Sequence, residues 1–232
     1  NGAIKRETYL THPQTEERLQ VYGIGTDVSD GSLIAADYLS GFLGRFNKDG
    51  KCLMRYGEGK IHAPAALSVA SNGDIAVVDI QSDKIWILNS GGEILKEYPY
   101  SFGKNKNNFQ GYDIGFDQQG RIYLLDGQVK RVCIFDRKSD QRNSYPVRIF
   151  SPLVQMAVRP DGVFSVLSIK TTQISFYSSK GRHLAKLDNG PDKNSHPRFG
   201  KPCMVLMDTN DIWIADAWKF EILQVRFTDK VL

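Results

Sequence analysis

The stretch Asn72-Gly73-Asp74-Ile75-Ala76-Val77-Val78-Asp79 decides the fold. Asn-Gly is the preferred pair for a two-residue hairpin turn, and the run behind it is strand-forming and closes on Asp79. Working outward, PAALSVA over 64–70 reads as the strand before the turn and KIWILN over 84–89 as the strand after Asp79. Ser90-Gly91-Gly92 then turns the chain into a fourth strand, EILKEY over 93–98. Four short strands in a row, each pair joined by a tight turn, make one up-and-down sheet.

The same unit recurs. Short turns at Asp30-Gly31, Asn72-Gly73, Gln119-Gly120, Asp161-Gly162 and Thr209-Asn210 open apolar runs at intervals of 42, 47, 42 and 48 residues. Four of the runs end in aspartate, at Asp37, Asp79, Asp126 and Asp216; the fourth copy, VFSVLS, ends at Ser168. Nine residues beyond stand Phe46, Leu88, Phe135, Tyr177 and Val225, all suited to packing between sheets. A period near 45 is the mark of a β-propeller. The expected architecture is all-β, with five blades of four antiparallel strands and a sixth, degenerate blade as the alternative. Repeats are expected at about 21–56, 57–98, 99–149, 150–187 and 188–232, preceded by a lead-in over 1–20. The last repeat is short of a full fourth strand, and Ala3–Leu10, with strand-like alternation, is expected to close the ring against Glu221–Phe227. Closure of this kind leaves few exposed edges.

At 232 residues and 41% hydrophobic, the chain reads as one domain with a substantial core. No run of 18 apolar residues occurs, so no membrane-spanning segment is expected. The chain begins at Asn1 and carries no signal peptide, which reads as a piece of something longer. Cys52, Cys133 and Cys203 fall in strands of different blades, expected as reduced core cysteines ahead of disulfide or metal roles. No Asn-x-Ser/Thr acceptor is present, which favours a cytoplasmic setting.

The turn–strand–Asp–loop–strand pattern resembles the NHL repeat. Ile214-Ala215-Asp216 with Ile222–Phe227 is the clearest copy, Arg198-Phe199-Gly200-Lys201-Pro202 resembles the family's lead-in, and Ala63-Pro64 sits similarly before the second repeat. Departures are visible: Ser40, Ser82, Val129, Thr171 and Lys219 stand where the family often has asparagine, and the Arg two positions on is matched only by Arg131 and, conservatively, Lys84. The resemblance implies the C-terminal propeller of a tripartite-motif ubiquitin ligase, a monomeric domain that binds single-stranded RNA, protein substrates or both. In such a protein the ubiquitin chemistry belongs to a separate RING domain. A purely protein-binding propeller is the alternative; a metal-dependent propeller enzyme or an extracellular ligand sensor is the distant third.

No cofactor, metal or catalytic residue is expected. The repeat aspartates sit at strand ends before loops, where a carboxylate accepts loop N–H groups. His12, His62, His183 and His196 lack ligand spacing and read as ordinary surface histidines. Charge points to one face, made of the loops after the repeat aspartates and the links between blades. It carries 11 bases against nine acids, four of them the repeat aspartates. The candidate binding residues are Tyr38, Lys60, Lys84, Lys104, Lys106, Lys130, Arg131, Lys170, Arg198, Lys201, Trp218 and Lys219. Cations for phosphates interleaved with rings for bases is a mixture that holds single strands.

Overall fold

The computed structural model describes residues 9–101, 112–148, 154–188, 190, 200–207 and 211–226. All regular structure among them is β, in five consecutive up-and-down antiparallel sheets, the blades of a β-propeller fold. Blade 1 is β1 (Val21–Thr26), β2 (Leu33–Asp37), β3 (Phe42–Phe46) and β4 (Cys52–Tyr56). Blade 2 is β5 (Pro64–Val69), β6 (Ile75–Asp79), β7 (Lys84–Leu88) and β8 (Ile94–Pro99). Blade 3 is β9 (Tyr112–Phe116), β10 (Ile122–Asp126), β11 (Arg131–Phe135) and β12 (Arg142–Pro146). Blade 4 is β13 (Val154–Val158), β14 (Phe164–Ser168), β15 (Gln173–Tyr177) and β16 (His183–Leu187). Blade 5 has three strands among the described residues, β17 (Pro202–Met207), β18 (Asp211–Asp216) and β19 (Glu221–Arg226). Of the expected closing segment, residues 3–8 lie outside the described residues. Leu10 bonds locally: its carbonyl accepts from Leu19 N at 2.9 Å, beside a bridge between Thr11 and Arg18.

The chain forms two compact units, 1–102 and 103–232. In the first, β1 lies beside β5, and blades 1 and 2 bury Ile34, Ala36 and Leu43 against Leu67, Val77, Trp86 and Leu88. In the second, blade 4 is packed on both faces. Phe164, Val166 and Tyr177 meet Tyr123, Leu125 and Val132 of blade 3, while Leu167, Ile174 and Phe176 meet Val205, Ile212 and Ile214 of blade 5. That is why β14 is buried throughout and shows no polar alternation. The Phe164 and Tyr177 rings stack at 5.1 Å, and the Tyr177 hydroxyl accepts from Arg148 N at 2.7 Å, satisfying its polar end. Phe46, Leu88, Phe135 and Tyr177 are all buried as their common register requires, and Val225 packs half-buried on the same kind of cluster. Among the cysteines only Cys133 is buried. Cys203, on the first strand of blade 5, is exposed, so it is not a core residue.

In blades 1, 2 and 5 the repeat aspartate joins the blade to the link that enters it. Asp79 accepts from His62 N and Ala63 N, both at 3.0 Å, just before β5, and from Gln81 N at 3.1 Å and Ser82 N at 3.3 Å in its own loop. Asp216 repeats this with Gly200 N at 2.6 Å, Lys201 N at 2.8 Å, Trp218 N at 3.0 Å and Lys219 N at 3.1 Å. Asp37 takes Gln20 N, Leu39 N and Ser40 N, and Asp126 takes Gln128 N and Val129 N. The loop donors are backbone groups. The side chain three residues after the aspartate is therefore free to be Ser, Val or Lys without loss of the clasp. Blade 4 is the exception: Ser168 is buried with its hydroxyl unpartnered among the described residues.

Each loop then turns through a left-handed residue four positions after the aspartate or Ser168. These are Gly41 (φ 68°), Asp83 (55°), Lys130 (56°), Thr172 (53°) and Phe220 (54°). Only blade 1 uses glycine, and there a Cβ would lie 2.7 Å from the His62 carbonyl. The other four carry the strain of a side chain in this region, greatest for β-branched Thr172.

One half-buried carboxylate crosses between blades. Asp113 on β9 accepts from Met156 N of β13 at 2.7 Å and from Ile114 N at 2.8 Å. Desolvation nevertheless outweighs these bonds and pushes its pKa up to about 6. A raised folded-state pKa makes the folded chain bind the proton more tightly than the unfolded chain. Its stabilising share is thus full below about pH 4 and is lost as pH rises through 6.

Three outcomes are expected. Asp79→Ala strips four backbone donors of their acceptor and costs about 1–3 kcal/mol in denaturant unfolding; a loss within error contradicts the clasp. Thr172→Gly relieves the left-handed strain and raises Tm by about 2–4 °C, for a gain of about 1 kcal/mol; a lower Tm contradicts it. The Tm of the parent relative to Asp113→Asn rises as pH is lowered from 7 to 4, and a slope of opposite sign refutes the linkage.

Candidate recognition face

In blades 1, 2 and 5 the second-to-third-strand loop and the link that enters the blade lie together at one end, because the aspartate clasp binds them to each other. In the first unit this end carries Tyr38, Leu39, Lys60 and Lys84. Tyr38 is half-buried and meets Tyr22 edge-on at 5.8 Å; burial first, then the neighbouring Tyr22 and Asp79, raise its pKa. Leu39 is 62% exposed and Lys60 is exposed in the turn after β4. Lys84 is committed: its Nζ lies 2.8 Å from Glu97 and 4.8 Å over the Trp86 ring.

In the second unit Val129, Lys130, Lys170, Lys201, Trp218 and Lys219 are exposed at the corresponding ends. Arg131 is turned along its own blade, donating from Nε to Ser144 Oγ at 2.6 Å and from Nη2 to the Ser144 carbonyl at 2.8 Å. Lys219 Nζ stands 3.8 Å from Glu221. Lys104, Lys106 and Arg198 lie outside the described residues.

The loop of blade 5 stands out. Its backbone is pinned at Trp218 and Lys219 by Asp216, and the link side of the clasp comes within reach too: a Cβ on Gly200 would be 2.9 Å from Trp218 Cβ. Burial acts to raise the pKa of Asp216, yet the N–H groups of Lys201, Gly200, Lys219 and Trp218 together hold it below the usual carboxylate range. The fixed backbone presents Trp218 at 71% and Phe220 at 93% exposure, with Lys219 between them. Phe220 was not among the residues expected from sequence. The signal lay in the register, which puts an aromatic residue at the left-handed position of a loop. Leu39 and Val129 are apolar loop residues of the same kind.

His62 is exposed as expected, while two other histidines differ from expectation. His183 is half-buried, edge-on to Tyr177 at 5.4 Å, and desolvation followed by Arg148 and Lys186 lowers its pKa. His12 packs edge-on against buried Phe42 at 4.9 Å. His196 lies outside the described residues. Among the described residues no three His, Cys, Asp or Glu side chains converge as a metal-ligand set, and no helix is long and apolar enough to cross a membrane.

No protein-family model matches the chain, and no curated protein matches it. Solved structures do. A catalytically inactive histidine-to-alanine variant of virginiamycin B lyase from Staphylococcus aureus, with quinupristin, aligns over 95% of this chain and 73% of its own at 15% identity, TM-score 0.65. A protein of unknown function from Bacteroides caccae aligns over 89% of this chain and 77% of its own at 13% identity, TM-score 0.66. Hydrazine synthase of Kuenenia stuttgartiensis aligns over 94% of this chain and 70% of its own at 13% identity, TM-score 0.58. At these identities the likeness carries the β-propeller fold and nothing of the chemistry.

Proposed function

We propose that the chain is a non-catalytic recognition domain that binds protein segments, with the Trp218-Lys219-Phe220 loop as its anchor. The observation that carries this reading is the pair of aromatic side chains, 71% and 93% exposed, on a backbone already held by Asp216. Exposed rings of this size supply most of the affinity where they enter a partner's pocket, and a preorganised loop lowers the entropic cost of binding. Leu39 and Val129 give the equivalent loops of blades 1 and 3 an apolar character of their own.

A second reading, single-stranded RNA, is favoured by the exposed Lys130, Lys170 and Lys201 and by the lysine between the two rings. It is the weaker one. Lys84 and Arg131, two of the cations that suggested it, are bonded to Glu97 and Ser144 within their own blades. The NHL-like repeat pattern supports placement of the domain in a cytoplasmic tripartite-motif ubiquitin ligase, where it would present substrates to a RING domain elsewhere in the protein; that placement is part of the same proposal.

A display library of random 12-residue peptides, selected on the parent domain, tests the reading. Selected peptides should lose at least tenfold in affinity, about 1.4 kcal/mol, on Trp218→Ala or Phe220→Ala, with Tm unchanged because both side chains are exposed. Affinity should vary little with salt. If no peptide is retained and oligouridine instead binds with a salt slope of roughly −0.7 per phosphate contact, the protein reading fails in favour of RNA.

A further inference from the structure

A cavity of about 230 Å³ opens between the end of β4, the start of β3 and the short hairpin that precedes β1, lined among others by His12, Phe42, Arg55, Glu58 and His62. All of these residues belong to the first unit. We propose that this cavity binds a small oxyanion, a carboxylate or phosphate group, independently of the blade 5 loop.

The donors are set by packing. His12 Nδ1 accepts from Gln14 N and Thr15 N, each at 3.3 Å, which leaves Nε2 as the donor nitrogen of a ring that lines the cavity. The ring is fixed edge-on to Phe42, whose own side chain is buried. Arg55 Cζ lies 5.9 Å from the centre of that same ring, so both donors are braced on one buried aromatic. One Arg55 N–H group faces Glu58 Oε1 at 3.1 Å. A guanidinium has five N–H donors in a rigid fork, and a single contact to a mostly exposed glutamate leaves the others for a ligand. His62 completes the lining, and Lys60, exposed in the same turn, adds positive potential at the rim.

Donor chemistry and size identify the class of ligand. One guanidinium fork and two imidazoles offer N–H donors against the acceptors of a single carboxylate, which suits an oxyanion. The volume lies below the range of about 300–1,000 Å³ typical of sites for drug-sized molecules, so the cavity suits one anionic group with its stem. Glu58 would be the ion that the ligand displaces from Arg55.

The test is a titration at constant ionic strength with inorganic phosphate, with acetate and with N-acetyl-phosphoserine amide, following the His12 and His62 imidazole resonances by NMR. Saturable shifts of both histidines by at least one probe are expected. Saturation by acetate as well as phosphate shows recognition of oxyanions in general, phosphate alone shows preference for the dianion, and tighter binding of the phosphoserine derivative shows that the site takes a group displayed on a chain. Arg55→Met should weaken binding at least tenfold. Glu58→Gln should tighten it, an outcome that damage to the fold does not mimic. Trp218→Ala should leave it unchanged, so failure here and failure of the peptide-binding reading are distinguishable. Shifts that do not saturate, or that chloride reproduces, overturn the proposal, as does a Glu58→Gln variant that binds more weakly.

Discussion

The bond between a repeat aspartate and the backbone of the link entering its blade is the constraint on which the rest depends. Strand 2 of a blade ends where the chain must enter from the blade before, and both segments arrive with unpaired N–H groups. One ionised carboxylate satisfies up to four of them, as Asp79 and Asp216 do. Leaving such groups buried and unpaired would cost about 1–3 kcal/mol each, a large part of the marginal stability of any domain. The clasp also fixes where the loop tips stand. A recognition loop can therefore carry exposed aromatic residues on a rigid backbone, and Trp218-Lys219-Phe220 is the clearest case.

Much of this was legible in the sequence because it is periodic. The 42–48 residue spacing of the turns, the aspartate at the end of each second strand and the core residue nine positions on are all register properties, and β structure with tight turns preserves register. The strands found differ from those read in blade 2 by one residue at most at each end. The loops are different. Lys84 and Arg131 were counted as cations available to a ligand, yet each points to a partner on the fourth strand, Glu97 or Ser144. That pairing depends on the length and bulges of the third-to-fourth-strand turns, which vary from blade to blade. Phe220 is 93% exposed at a left-handed φ that an aromatic residue rarely adopts, against what its apolar side chain suggests. The placement of His12 and His62 on one cavity needs a folded N-terminal hairpin, held by Leu10 and Leu19 against Phe42 and Phe46, and fifty residues of sequence separation hide it.

Blade 4 shows what happens where the pattern lapses. Ser168 occupies the aspartate position with a hydroxyl too short and too weak to gather four donors, and its own oxygen is left buried without a partner among the described residues. Its loop still turns through a left-handed residue, Thr172, so the geometry persists without the anion that stabilises it elsewhere. The hydrophobic stack of Phe164 and Tyr177 against Tyr123 holds this blade in register. Packing on both faces thus holds blade 4 where the clasp is missing.

Native-state amide hydrogen exchange tests the central claim most directly. If the carboxylates hold links and loops together, the amides of His62, Ala63, Gln81, Ser82, Gly200, Lys201, Trp218 and Lys219 exchange slowly, together with the strand amides of their own blades, while those of the blade 4 loop at Ile169–Thr171 exchange faster. Exchange of the clasped amides at the rate of free loops, or no difference between blade 4 and the blades that carry aspartate, would contradict the account.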